Sequence, residues 1–207
     1  MRQCLTQARV RFQIAHCARR KDSRPFPIPD ASIAELHALV TQTVKELGKV
    51  LSIRRQKVLV SEAPRATGIV FGLSADHFQN ALRELLVNAM KFSNEGAVIY
   101  VLLGIRGGSI TLSVMNPAAH VGDFFGIPEE FSRIIFEPFF RLTRSVHEDY
   151  PTLDFGLGLP YAGKIISAHN GRIEVCMLKD FQAAAESEMV SFEVHLPIRN
   201  SEAAVHG

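Results

Sequence analysis

Apolar residues recur every three or four positions along several stretches of the chain, and alternate with polar ones along others. Leu5, Ala8, Phe12 and Ala15 form a seam of this kind, which predicts a helix within residues 1–20 suited to pairing with another helix. Pro25, Pro27 and Pro29 follow, alternating with Phe26 and Ile28, and predict an extended linker, so a boundary is expected near Asp30. Ser32 and Glu35 fit a capping box, and Ile33, Leu36, Val40, Val44, Leu47 and Leu51 continue at helical spacing, which predicts one helix over 32–53. Short β-branched runs at 57–60 and 68–73 read as strands. Ser74 or Asp76 can cap a second helix reaching about Phe92. Two alternating runs, 97–104 and 109–115, joined through Arg106, Gly107 and Gly108, read as a hairpin. A short helix at 128–136, a loop at 142–154, a helix at 159–169 and strands at 172–177 and 190–196 complete the pattern. Helices and mostly antiparallel strands mix without strict alternation, so the expected class is a layered α+β sandwich.

Composition narrows this picture. The 207 residues, 47% hydrophobic and 21% charged, suit one sizeable folded domain with an appendage. The net charge of +2 gives no general pull toward nucleic acid or an anionic membrane. It is unevenly spread: Arg2, Arg9, Arg11, Arg19, Arg20, Lys21 and Arg24 face only Asp22 near the start, leaving a mildly acidic remainder. Cys4, Cys17 and Cys176 are odd in number and far apart, which predicts neither a disulfide framework nor a zinc site and suits a reducing cytoplasm. No apolar run approaches the length of a membrane span.

Three features carry candidate chemistry. Glu84, Asn88 and Lys91 share one stripe of the second helix, opposite Phe78, Leu82, Leu85, Leu86 and Ala89. Such a stripe is commonly just a solvated face. It also suits an amide ligand for Mg²⁺, a carboxylate one turn earlier and a lysine one turn later to neutralise phosphate. Gly156, Leu157, Gly158 and Leu159 run into a helix with Pro160 in its first turn, which fits either a tight turn or backbone amides aimed at an anion. Phe136, Glu137, Pro138, Phe139, Phe140 and Arg141 form an aromatic cluster before a polar loop, read as a satellite core or as the anchor of a lid.

Taken in order, the segments ELLVNAMKFS (84–93), GIPEEFSRIIFEPFFR (126–141) and GLGLPYAGKIISAHNGRI (156–173) resemble the N box, the end of the G1 box with the F box, and the G2 box of bacterial sensor histidine kinases. The resemblance covers residues 32–197. It implies a two-layer α/β sandwich of the Bergerat type, with a mixed and mostly antiparallel sheet, in which ATP lies under a flexible lid. The domain division that follows is a basic helix and linker at 1–29, the tail of a dimerisation helix; an ATPase domain at 30–198; and a disordered tail at 199–207. By the same resemblance Asn88 is the Mg²⁺ ligand, Glu84 lies near the metal-bound water or the γ-phosphate, and Lys91 contacts phosphate. Gly156, Leu157, Gly158 and Leu159 meet the phosphates, Gly126 and Ile127 line the nucleotide, Phe136 and Phe139 stand beside the lid, and residues 142–155 are that lid.

The chain departs from the family pattern in three places. The family's adenine-reading aspartate is replaced by Asn116, followed by Pro117 and about six extra residues before Gly126; Asp123 is the second candidate for that role. Asp154 and Phe155 stand where the family has a glycine and a small hydroxyl residue. No histidine is followed by the acidic and basic residues of a phosphoacceptor, since Cys17, Ala18 and Arg19 follow His16. The expected function is therefore the Mg-ATP-binding catalytic domain of a cytoplasmic two-component histidine kinase, serving a histidine on another segment or chain. Its expected partners are a dimerisation and phosphotransfer domain, a response regulator receiver domain, and a second copy through the N-terminal helix. The rivals are an anti-sigma-type serine kinase and a signalling module that has lost catalysis.

Overall fold

The computed structural model describes residues 26–143, 155–180 and 187–199. The expected N-terminal helix, with His16, most of the expected lid, with Asp154, and residues 200–207 lie outside them.

The capping box forms as expected. Glu35 N–H donates to Ser32 Oγ and Ser32 N–H donates to the Glu35 carboxylate, and α1 spans Ile33–Glu46. A cap of this kind is worth about 1 kcal/mol. The single helix expected over 32–53 is in fact two, because α2 (Gly48–Ile53) starts anew after Leu47, whose N–H is shared between the carbonyls of Thr43 and Val44. Gly48 has a poor helix propensity, so the hydrophobic spacing continues through Leu47 and Leu51 while the backbone does not. After β1 (Asp30–Ala31), β2 (Lys57–Val60) and β3 (Val70–Gly72) comes α3 (Ala75–Lys91), whose Phe78, Leu82, Leu85, Leu86 and Ala89 are all buried. β4 (Val98–Arg106) and β5 (Ser109–Pro117) form the expected hairpin, turned at Gly107 and Gly108, both with positive φ, as a two-residue turn between right-twisted strands demands.

β6 (His120–Val121) and β7 (Phe124–Phe125) make a separate two-stranded ribbon. The short helix expected at 128–136 is two 3-10 turns, Glu129–Phe131 and Ile134–Phe136. α4 (Gly158–Ala168), β8 (Arg172–Asp180) and β9 (Ser187–Arg199) follow. The main sheet runs β1-β3-β9-β5-β4-β2, with β8 also on β9, and among the described strands only β2 and β4 pair in parallel. On β5, Ile110, Leu112 and Val114 are buried while Thr111, Ser113 and Met115 are half-buried; β9 buries Val190, Phe192, Val194 and Leu196. One sheet face thus forms a single core with the three long helices, the two-layer arrangement that alternating strands impose.

One joint in this core involves histidine. Ser74 occupies the N-cap position of α3, but its hydroxyl bonds His77 Nδ1 instead of capping the helix. Ser74 N–H donates to Nε2 of the buried His169, whose Nδ1–H donates to the Ile165 carbonyl, so His169 is held as the neutral Nδ1–H tautomer. Phe26 stacks flat on His77 at 3.7 Å. Burial is the main cause of a His169 pKa below its ordinary value; the bond to Ile165 opposes it, and His77 and Arg199 reinforce it. As pH falls, the unfolded chain takes up this proton first. The stability from neutral His169 is therefore fully present above about pH 6.5 and is lost as pH falls toward the folded value. In His169→Gln, a non-titrating carbonyl replaces Nε2. Its melting temperature is expected to fall less steeply than that of the wild type between about pH 7.5 and 5.5. Equal slopes would refute this.

Candidate nucleotide site

α3 fixes the polar stripe. The carbonyls at and just past its C-terminus are bound from the α2–β2 connection: Gln56 Nε2 donates to Met90, Ser93 and Asn94, and Arg54 donates to Met90 and Lys91. Sequence reasoning missed both residues, because their partners lie more than thirty positions away. Glu84 and Asn88 are half-buried one turn apart, and Lys91 is only 7% exposed, an unusual depth for a lysine.

The glycine stretch meets this stripe directly. A Cβ on Gly158 would stand 2.5 Å from Glu84 Oε2, so glycine at 158 is what makes room for the carboxylate. Leu157, at the N-cap position of α4, makes no side-chain cap, and Pro160 brings no N–H. The positive end of the helix therefore faces the carboxylate. Gly156 has φ +67°, and a Cβ there would lie 2.6 Å from the Phe140 carbonyl and 3.1 Å from Arg141 Cγ. Phe139 N–H donates to the Gly156 carbonyl, tying the aromatic cluster to the glycine stretch backbone to backbone. Phe139 itself has a positive φ and a 74% exposed ring. Phe136 lies on the underside, edge-on to Phe192 and 3.8 Å from where Gly163 would carry a Cβ. Arg141 was quoted within its motif but given no role by sequence reasoning; its stem packs on Gly156, next to the amides expected to meet phosphate.

The third part lies at the end of β5. Asn116, 2% exposed, donates from Nδ2 to the Pro117 carbonyl, which places Oδ1 on the other branch of the amide as an acceptor. Asp123 stands in the exposed turn of the β6–β7 ribbon. The extra residues before Gly126 are this ribbon, closed at its base by a bond from Gly126 N–H to the Ala119 carbonyl. Gly126, at φ +64°, is thereby returned to Ala118: a Cβ on it would be 3.5 Å from the Ala118 Cβ and 2.8 Å from Met177 Sδ. The excursion thus brings Gly126 back beside Ala118, two residues after Asn116. Ile127 packs at the edge of the core.

Among the described residues no group of three or more His, Cys, Asp or Glu is placed to hold a metal by itself, and no helix is long and apolar enough to cross a membrane. An amide and a carboxylate one turn apart suit Mg²⁺, which keeps few protein ligands and is held mostly by phosphate oxygens and water.

A polar helix stripe abuts a glycine-led helix on a two-layer mixed sandwich, the arrangement expected of a Bergerat-type nucleotide-binding domain. Residues 74–200 match the histidine kinase-, DNA gyrase B- and HSP90-like ATPases. The sensor protein VanS of Enterococcus faecium is 25% identical over 163 residues, 79% of this chain and 37% of VanS. Among solved structures, the mycobacterial sensor histidine kinase MprB has a TM-score of 0.58 at 21% identity, covering 84% of this chain and 99% of that one. Full-length ShkA in complex with AMPPNP has a TM-score of 0.67 at 16% identity, covering 96% and 36%. The two structural likenesses bear on the fold. The chain belongs to the histidine kinase-, DNA gyrase B- and HSP90-like ATPase family, and the curated relatives it matches include sensor kinases. It spans little more than a third of the length of VanS.

Proposed function

We propose that the chain binds Mg-ATP between α3 and the start of α4 and presents the γ-phosphoryl group to a histidine on another segment or chain. The observation that carries this reading is the Glu84 carboxylate lodged against Gly158, which joins the polar stripe to the anion-favouring end of a helix. Asn88 would hold the metal with the phosphates, and bound Mg²⁺ would neutralise charge on the β- and γ-phosphates. The amides of Gly156, Leu157, Gly158 and Leu159 serve as phosphate donors, with Lys91 and Arg141 as neutralising cations. Asn116 accepts from the adenine amino group through Oδ1, in preference to the exposed Asp123, while Gly126, Ile127 and Phe136 shape the wall. Glu84 stands near the reacting phosphate. In the transfer, the bond from the γ-phosphorus to the bridging oxygen breaks, ADP leaves, and a phosphorus–nitrogen bond forms. The imidazole proton passes to a base on the acceptor segment.

Residues 1–29 fit the tail of a dimerisation helix and its linker, so the acceptor would come from a dimerisation and phosphotransfer domain, with a response regulator receiver domain as the next recipient. Both belong in the cytoplasm, and the spacing of Leu5, Ala8, Phe12 and Ala15 suits pairing of two copies. Calorimetric titration with AMPPNP tests the reading. Saturable binding strengthened by Mg²⁺ is expected, and no binding at millimolar nucleotide would leave the chain an interaction module. Acid-labile label on the acceptor would separate a histidine kinase from a serine kinase.

A further inference from the structure

The β6–β7 ribbon occupies the place where the family pattern has only a short glycine turn, and it touches the aromatic cluster that follows it. Its base, closed by the Gly126–Ala119 bond, adjoins the Asn116 end of β5. From its second strand, Phe124 meets Phe131 edge-on at 5.3 Å, and Phe131 meets Phe140 at 5.7 Å. The Phe140 carbonyl is the atom closest to the missing side chain of Gly156, and the next residue back, Phe139, donates to the Gly156 carbonyl. The turn of the ribbon lies beside the next residues along: a Cβ on Gly122 would be 3.8 Å from Thr143 and 4.0 Å from the Leu142 carbonyl. Three rings in series thus connect the ribbon to the backbone that expects phosphate.

We infer that Phe124 is a positioning residue for the phosphate half of the site, acting through Phe131 and Phe140 on the backbone at Gly156. The inference rests on the nucleotide-binding reading above. Rings packed edge-on or tilted at these separations resist displacement, because each ring's positive edge prefers the negative face or offset of its neighbour. Removing the Phe124 ring leaves Phe131 without its outer support and lets Phe140 and Gly156 relax together. The base of the ribbon is held by a main-chain bond, so the Asn116 end keeps its geometry.

The test compares AMPPNP with adenosine in calorimetric titrations of the full chain, with Mg²⁺ throughout. In Phe124→Ala, AMPPNP affinity is expected to fall roughly three- to tenfold, the range of one aromatic pair, while adenosine affinity holds within about twofold. Phe124→Tyr, which keeps the ring, is expected to restore AMPPNP binding; Phe124→Leu stands in should the alanine variant not fold. An unchanged AMPPNP affinity would overturn the inference while leaving the nucleotide reading intact. So would an equal loss for both ligands, the mark of a merely structural role. A wild-type chain that binds neither ligand would overturn the nucleotide reading itself.

Discussion

An Asn88→Ala chain is expected to bind AMPPNP no better with Mg²⁺ than without it. Asn88 sits one turn after Glu84 on the half-buried stripe of α3, where its amide oxygen would serve as a neutral hard ligand to the metal. Mg²⁺ keeps most of its coordination as water and phosphate, so a single protein ligand decides whether the metal-nucleotide complex is seated. Removing it is expected to cost on the order of 10- to 100-fold in the Mg-dependent affinity, the scale of losses at metal-supporting positions. The fold should survive, since the side chain is not part of the buried face of α3. A variant retaining the wild-type difference between titrations with and without Mg²⁺ would remove Asn88 from the site.

Glu84→Gln is expected to do the reverse. The Glu84 carboxylate stands against Gly158 at the uncapped start of α4, where an anionic phosphate would gain most from the helix amides. Like charges brought close together in a partly buried site repel by an amount on the order of 1–2 kcal/mol before salt screening. Bound Mg²⁺ would offset that repulsion in the wild type. The glutamine keeps the shape and removes the charge, so Mg-free AMPPNP binding is expected to tighten by on the order of tenfold. The ratio of affinities with and without Mg²⁺ then shrinks, although the metal site itself is intact. Mg-free binding equal to that of the wild type would show that Glu84 does not face the phosphates. Because the two variants compress the same ratio from opposite ends, measuring both separates loss of a ligand from loss of a charge.

Much of this arrangement was legible in the sequence, for local reasons. The stripe of Glu84, Asn88 and Lys91 follows from helical spacing, and the β4–β5 hairpin from alternation on either side of a paired glycine turn. The approach of Glu84 to Gly158 was implied only by resemblance to a family, because seventy-odd residues separate the two. Other features depend on partners that no local pattern reveals. Ser74 looks like a helix cap, yet its amide is bound by His169, ninety-five residues on. The residues between Pro117 and Gly126 looked like an irregular interruption of the G1 box, yet they fold as the β6–β7 ribbon, closed at its base by the bond from Gly126 to Ala119. Periodicity carried one helix through Leu47 because Leu47 and Leu51 are both buried, although the backbone restarts at Gly48.

The position of β9 in the sheet also has a consequence for how the chain is made. This strand pairs with β5 along one edge and with β8 and then β3 along the other, and it is the last of the described strands in sequence. A nascent chain therefore carries α3, α4 and six main-sheet strands off the ribosome before the strand that joins them exists. Until residues 187–199 emerge, β5 keeps an open edge, and β3 and β8 lack the strand that brings them into the sheet. Those edges invite pairing with other chains, and the long-range closure is of the slow kind. The interval between synthesis of β5 and synthesis of β9 is the stage at which a chaperone has most to protect.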